Sequence, residues 1–357
     1  MGDISQQLID HVNAARETNT KLNIVGRGTK TFLGRIPVGE SIDVAGHDGI
    51  VDYQPVELVI TVRAGTSLAD IMAALDEHGQ MLSFEPPTFG GKASIGGTLA
   101  ANMSGPARPW GGAVRDLLLG IRLINGKGEY LRFGGQVLKN VAGYDVSRLQ
   151  AGAMGTLGII TELSLKVMPK PAATVTLVQN MDCDEAIETM NRLAGQHSAL
   201  SGACWLENKL NIRFSGTASA VKQASSKCNG DLLESGDDFW QELCDMKLRF
   251  FDHADTLWRF SVKSSAGNFR PDARWLIDWG GALRWLCIAP DERDADRNSL
   301  EQAAVAANGQ AMMFRGGDRS QEVFHSQSKT AMCIQRRLKF AFDPDGLLNP
   351  GRLYSWM

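Results

Sequence analysis

Two glycine-rich stretches constrain this chain more than any other feature. The first runs Ala93-Ser-Ile-Gly-Gly-Thr-Leu-Ala-Ala-Asn-Met-Ser-Gly105. The second runs Leu138-Lys-Asn-Val-Ala-Gly-Tyr-Asp145 and resumes as Ala151-Gly-Ala-Met-Gly-Thr-Leu-Gly-Ile-Ile-Thr161. Glycine has no Cβ, so its backbone can approach a ligand that a larger residue would hold off. A third loop, Gly26-Arg-Gly-Thr-Lys30, follows a short apolar run at Lys21–Val25. Together the three segments predict a large ligand lying against backbone along much of its length.

The loop Gly26–Thr31 has the chemistry of an anion nest, because successive N–H groups in a glycine turn converge on negative charge. Thr29 adds a hydroxyl donor, and Arg27 and Lys30 add positive charge. A pyrophosphate suits such a loop; the competing reading is an ordinary surface turn. It is not a dinucleotide fingerprint, since Thr31 stands where G-x-G-x-x-G requires its last glycine, and the G-x-x-x-x-G-K-[ST] phosphate loop is absent. In the first stretch Ser94, Ile95, Gly96 and Gly97 adjoin Thr98, with Asn102, Ser104 and Gly105 close behind. That gives backbone approach together with hydroxyl and amide groups; a tightly packed helix start is the alternative. Gly155, Thr156, Gly158, Ile159 and Ile160 lead from a glycine turn into a strand, where a β-bulge is the alternative.

A chain of 357 residues allows two domains. Its net charge of -3 offers no basic face for nucleic acid. No apolar run reaches the roughly 18 residues of a membrane span. The opening Met-Gly-Asp-Ile-Ser lacks the basic-then-apolar order of a signal peptide, so a cytoplasmic location is expected, if need be at the inner face of the membrane through partners. The six cysteines are scattered, none at C-x-x-C spacing. Neither a disulfide framework nor an iron–sulfur or zinc site is expected from them.

Periodicity predicts a helix over residues 4–18 with Leu8, Val12 and Ala15 inward, a strand over 57–62, and a helix opened by Ser67 with Leu68, Ile71, Met72 and Leu75 as its stripe. Gly79 is read as that helix's C-cap glycine. A hairpin is expected over 117–133, then a strand over 158–167. Pro169-Lys-Pro171 sets a domain boundary. Beyond it, strands and helices alternate in a pattern that predicts an antiparallel sheet with helices on one face, ending in a helix over 325–342.

The three glycine segments together resemble the FAD-binding domain of the vanillyl-alcohol-oxidase type, the PCMH-type flavoprotein fold. The resemblance rests on Ala93–Gly97, on Asn102–Gly105 and on Gly155-Thr-Leu-Gly-Ile-Ile-Thr161, and covers about residues 20–170 and the Asn349-Pro-Gly tail. It implies an α+β fold: a two-lobed PCMH-type FAD-binding domain (1–170), an antiparallel-sheet, ferredoxin-like cap domain (171–324), and a C-terminal helix and tail (325–357) returning to the first domain. Within the family the chain resembles FAD-binding subunits of bacterial glycolate oxidases. That likeness rests on Lys30-Thr-Phe-Leu-Gly-Arg35, Glu85-Pro-Pro87, Pro109-Trp-Gly-Gly112, Lys139-Asn-Val-Ala-Gly-Tyr-Asp145 and Asn349-Pro-Gly-Arg-Leu353.

The resemblance implies FAD with Gly26–Thr31 on its pyrophosphate, residues 94–105 and 155–161 along the rest, and Lys139 and Tyr144 near the isoalloxazine. Neither 25–31 nor 93–105 contains His or Cys, so non-covalent FAD is expected. It also implies a catalytic FAD subunit and an iron–sulfur subunit as partners, with glycolate as the substrate of the complex. Catalytic relatives carry a His-x-Gly-Asp-Gly-Asn type of segment in the second domain. Here the nearest fragments, Arg315-Gly-Gly-Asp318 and Asp252-His-Ala-Asp255, do not match, and no catalytic residue is assigned. Arg259, Lys263 and Arg315 are cations with the chemistry to bind a carboxylate, although most such residues are simply surface. Two other readings stay open: a stand-alone flavin dehydrogenase of a hydroxy acid or sugar alcohol, and a non-redox assembly subunit.

Overall fold

A computed structural model describes residues 2–135, 145–196, 199–252, 255–288 and 296–357. Lys139 and Tyr144 lie outside the described residues. The chain forms two compact units, one of Met1–Ser104, Ala113–Pro169 and Arg319–Met357, the other of Gly105–Gly112 and Lys170–Asp318. Gly105–Gly112, which local patterning assigns to the first domain, groups with the second unit.

The first unit is built on a five-stranded antiparallel sheet in the order Ile50–Gln54, Val59–Arg63, Ile159–Lys166, Leu118–Ile124, Tyr130–Gly134. Ile60 pairs with Leu165 and Val62 with Leu163, so their side chains share one face. That face packs on Leu68, Ile71 and Leu75 of helix Leu68–Asp76 and on Ile95 and Leu99 of helix Ile95–Ala100. Ser67 starts the first of these helices by accepting from the Asp70 amide at 3.0 Å. Met72, expected in the buried stripe, is instead 42% exposed. Gly79 adopts the left-handed φ of +61° expected of it but stands beyond the helix's actual cap, Glu77.

A separate parallel pair, Leu22–Val25 with Glu40–Asp43, carries the first glycine loop at its end. Helix Ser5–Thr18 buries Leu8, Val12 and Ala15 against Leu22, Ile42, Leu347 and Leu348. The tail thereby joins this layer: the Leu22 amide donates to Leu347 O at 2.8 Å, and the Asn349 amide donates to Leu22 O at 2.8 Å.

The second unit holds an eight-stranded antiparallel sheet in the order Asp231–Leu232, Ala173–Asn180, Lys209–Gly216, Leu200–Leu206, Trp275–Asp278, Leu283–Ile288, Thr256–Ser261, Gln310–Gly316. Helices Cys183–Ala194, Ala218–Ser226 and Arg297–Ala306 share one core with it, through Ile187, Met190, Val221, Leu300 and Ala304 against Phe214, Trp258 and Phe260. The expectation that helices cover one face needs correction. Helix Gly236–Cys244 packs on the other face, its Trp240 indole donating to Thr176 Oγ1 at 3.0 Å and lying under the Arg213 guanidinium. Thr176 and Arg213 are cross-strand partners, while their neighbours Leu177 and Phe214 point into the main core.

Among the described residues no helix is long and apolar enough to cross a membrane. None of the six cysteines forms a disulfide.

Candidate functional site

In the first unit a cleft of about 170 Å³ opens where three glycine segments meet. Every residue of Gly26–Thr31 lines it, as do Ser94, Gly96, Gly97, Gly155, Gly158 and Ile160. Segments far apart in sequence are thus gathered around one space.

The glycines do two different jobs. Gly28, at φ +71°, faces open space, and a Cβ on Gly97 would stand 3.8 Å from Lys30 Nζ, so both leave backbone accessible from the cleft. Gly96 is different: a Cβ there would come within 2.6 Å of the Ala64 Cβ and 2.8 Å of its carbonyl oxygen. At Gly155 it would sit 2.7 Å from Asn349 Nδ2, and at Gly158, 2.9 Å from Leu123 Cδ1. These three are required by the protein's own packing, which seats helix Ile95–Ala100 and the 155–158 turn close enough to wall the cleft.

Other expected site residues have structural work away from the lining. Ile95 and Ile159 point into apolar cores. Thr156 Oγ1 donates to Ala153 O at 2.7 Å, and Ser104 Oγ accepts from the Val114 amide at 3.2 Å. Asn102 is exposed with φ +48°, and Gly105 belongs to the second unit.

Sequence reasoning singled out the tail motif but assigned neither it nor the floor of the cleft to the ligand. Ala64, Gly65, Met154, Asn349 and Arg352 line it. Asn349 ties two walls together: its Oδ1 accepts from the Ile24 amide at 2.7 Å and its Nδ2 donates to Met154 O at 2.6 Å. Arg352 and Arg319 both donate to Thr31 O, at 3.3 and 3.0 Å, and Arg319 Nε donates to Gly34 O at 2.6 Å. Carbonyls of the first loop are thereby drawn back toward the tail. Only the Asn-Pro-Gly-Arg string hinted at this, because local patterning cannot show which distant segment a tail will meet.

The electrostatics of the lining are one-sided. Its charged residues are Arg27, Lys30 and Arg352, all cations, and no Asp, Glu, His or Cys lines the cleft among the described residues. Arg27 is held by Gly65 O at 2.9 Å with Asp48 3.9 Å away. Lys30 Nζ donates to Thr29 Oγ1 at 3.2 Å and lies 5.3 Å from the Phe89 ring centre. Burial without a carboxylate partner pushes the Lys30 ammonium down from 10.5 to about 8. Burial, then the neighbouring Arg319, lowers Arg352 to about 10. Such a cleft favours an anion that replaces lost hydration with charge. Open loop amides, three cations and an apolar remainder fit a cofactor with a pyrophosphate and flat rings. Among the described residues no group of His, Cys, Asp and Glu is placed to hold a metal ion.

Comparison with known proteins agrees with this chemistry. The family described as FAD binding domain matches residues 4–134. The chain is 44% identical over 353 residues to the glycolate oxidase subunit GlcE of Escherichia coli (strain K12), covering 99% of this chain and 98% of that protein. It is 35% identical over 170 residues to the glycolate oxidase subunit GlcD of Bacillus subtilis (strain 168), spanning 45% of this chain and 36% of the relative. Among solved structures, p-cresol methylhydroxylase with substrate bound superposes with a TM-score of 0.75 at 16% identity, covering 98% of this chain and 88% of that one. An alkyldihydroxyacetonephosphate synthase gives a TM-score of 0.68 at 16% identity, covering 97% and 74%. At these identities the two structures speak for the fold alone.

Proposed function

This chain belongs to the family of FAD-binding glycolate oxidase subunits represented by GlcE, and on that footing we propose that it holds FAD non-covalently in the cleft of its first unit and works inside a multi-subunit complex that oxidises glycolate to glyoxylate. The observation that carries the reading is the cleft lining: three cations, no carboxylate, and a glycine loop with open amides. Gly26–Thr31 and Lys30 are assigned to the pyrophosphate, and the apolar wall at Ala64, Ala100 and Ile160 to the rings. The absence of His and Cys from the described lining supports attachment without a covalent bond. FAD, when bound, supplies acceptance of the two electrons released as glycolate becomes glyoxylate.

The partners we assign are a catalytic FAD subunit of the GlcD kind and an iron–sulfur subunit that takes the electrons onward. The chain's own thiols are dispersed, and burial raises the Cys183 and Cys204 thiols, which suits inert core positions rather than a cluster. We place the complex in the cytoplasm, at the inner face of the membrane through its partners.

The test is an absorbance spectrum of the purified chain, taken anaerobically before and after glycolate, then repeated with the partner subunits. A flavin band that bleaches only with the partners present supports the reading. A colourless folded chain refutes it. Bleaching by glycolate alone would make the chain a dehydrogenase in its own right.

A further inference from the structure

Three cations of the second unit have the chemistry to hold a carboxylate, and the structure separates them. Lys263 is exposed to water. Arg315 donates through Nη2 to Phe251 O at 2.5 Å, so its fork is engaged with backbone. Arg259 differs from both. It is half-buried on strand Thr256–Ser261, and among the described residues its guanidinium has neither a hydrogen-bond acceptor nor a carboxylate partner. What surrounds it is aromatic: Cζ lies 5.1 Å from the Trp279 ring centre and 6.0 Å from that of Trp285, its cross-strand partner. The Arg108 guanidinium lies against the same Trp279 ring, at 4.4 Å.

Two cations gathered at one indole repel each other. Burial, and secondarily the charge of Arg108, lower Arg259 to about 10. The fold nevertheless holds the arrangement firmly. Trp279 has φ +53°, a conformation bulky residues avoid. It is pinned there by its amide donating to Asp278 Oδ1 at 2.7 Å and its indole Nε1 donating to Gly105 O at 2.9 Å. A strained aromatic stage that keeps an unsatisfied guanidinium near a second cation is an arrangement that packing alone would relax.

We propose that Arg259, with Arg108 at the same Trp279 ring, is a binding site for a small free carboxylate, of the size of a two-carbon 2-hydroxy or 2-oxo acid. The planar fork of Arg259 matches two carboxylate oxygens, its stacking on Trp279 and Trp285 fixes its orientation, and Arg108 adds field without needing direct contact. The carboxylate would relieve the repulsion between the two guanidinium groups. The choice of glycolate and glyoxylate as probes rests on the proposed function; the site itself rests on the arginines and the indole.

The test reads tryptophan fluorescence of the full-length purified chain during titration with glycolate, and separately with glyoxylate, against chloride at matched ionic strength. A saturable change is expected, reduced by about tenfold or more in affinity in Arg259→Met. Arg259→Lys, which keeps the charge but loses the fork, should also bind more weakly. Trp279→Phe should remove most of the signal. If Arg259→Met lowers the melting temperature sharply, Arg108→Gln provides the reading instead, with a smaller but definite loss. No saturable binding of either acid, or affinity unchanged in all the arginine variants, overturns the proposal. Flavin content is measured on the same samples: a colourless chain that binds glycolate refutes the cofactor reading alone, and a yellow chain that does not bind it refutes this site alone.

Discussion

Lys30 makes the cofactor cleft testable through pH. Its ammonium is largely buried, donates to Thr29 Oγ1, and is held at about 8 against an ordinary 10.5. The charged groups that share the lining with it are Arg27 and Arg352, both cations. An anion placed there favours the charged lysine and raises its pKa, so above pH 8 binding must take up a proton. With a free-state pKa near 8, Lys30 is about nine-tenths charged at pH 7 and about one-tenth charged at pH 9, so FAD affinity should fall by about tenfold between them, or roughly 1.4 kcal/mol. Stability of the flavin-free protein should move the other way. Because the folded pKa lies below the unfolded one, the unfolded chain binds more protons between about 8 and 10.5, and this group's penalty on folding fades as pH rises through that window. The assay is FAD titration of flavin-stripped protein across pH 7–9, paired with its melting temperature. Lys30→Met should bind roughly 10–100-fold more weakly at pH 7 and lose the slope. A flat profile in the native chain, or an equal slope in Lys30→Met, would refute the reasoning.

Three further outcomes are expected. In Gly97→Leu the new Cβ stands 3.2 Å from Ser94 Oγ and 3.8 Å from Lys30 Nζ, with the rest of the side chain in the cleft; a folded protein without flavin is expected, and full retention of flavin would show that Gly97 does not face the cofactor. Asn349→Ala removes two hydrogen bonds, of 2.7 and 2.6 Å, that join the Ile24 and Met154 walls; FAD affinity should drop with a stability loss of about 2–3 kcal/mol, checked by titration and denaturant melting. Lys339→Met leaves Asp343 buried without the ammonium that lies 2.6 Å from it and also donates to Thr156 O and Leu348 O; a cost of about 3–5 kcal/mol is expected, and an unchanged denaturant midpoint would contradict it.

Elements with a clear period were legible in the sequence. Leu8, Val12 and Ala15 fall on one helical face, and that face is buried. The hairpin around Asn125–Gly128 carries its own turn chemistry, with Asn125 Oδ1 accepting from the Lys127 and Glu129 amides and Gly128 at φ +75°. What escaped were short strands without alternation. Trp275–Asp278 is buried at all four positions, so no polar face marks it, while Glu40–Asp43 and Ile50–Gln54 are too exposed to show an apolar one. In the cleft, the loop Gly26–Thr31 announced itself through composition. Arg352, Asn349 and Ala64 did not, because their place depends on which segments meet in space.

The same distinction explains what the glycines are for. Reading every glycine as room for a ligand misses that Gly96, Gly155 and Gly158 are crowded by neighbouring protein atoms within 3 Å, whereas Gly28 faces open space and Gly97 meets only the Ser94 hydroxyl, at 3.2 Å, and the Lys30 ammonium, at 3.8 Å. The crowded glycines are what let helix Ile95–Ala100, the 155–158 turn and the tail close to van der Waals distance, and only that closeness brings three cations into one carboxylate-free lining. Charge of one sign in a half-buried space is unfavourable by itself, as the lowered Lys30 and Arg352 values record. The second unit repeats the device at Arg108 and Arg259, again with aromatic rings and, among the described residues, no carboxylate beside Arg259. In both places packing sustains an electrostatic deficit that a specific anion would cancel, a dinucleotide pyrophosphate in one and a small carboxylate in the other. Each anion should therefore raise the stability of the unit that holds it.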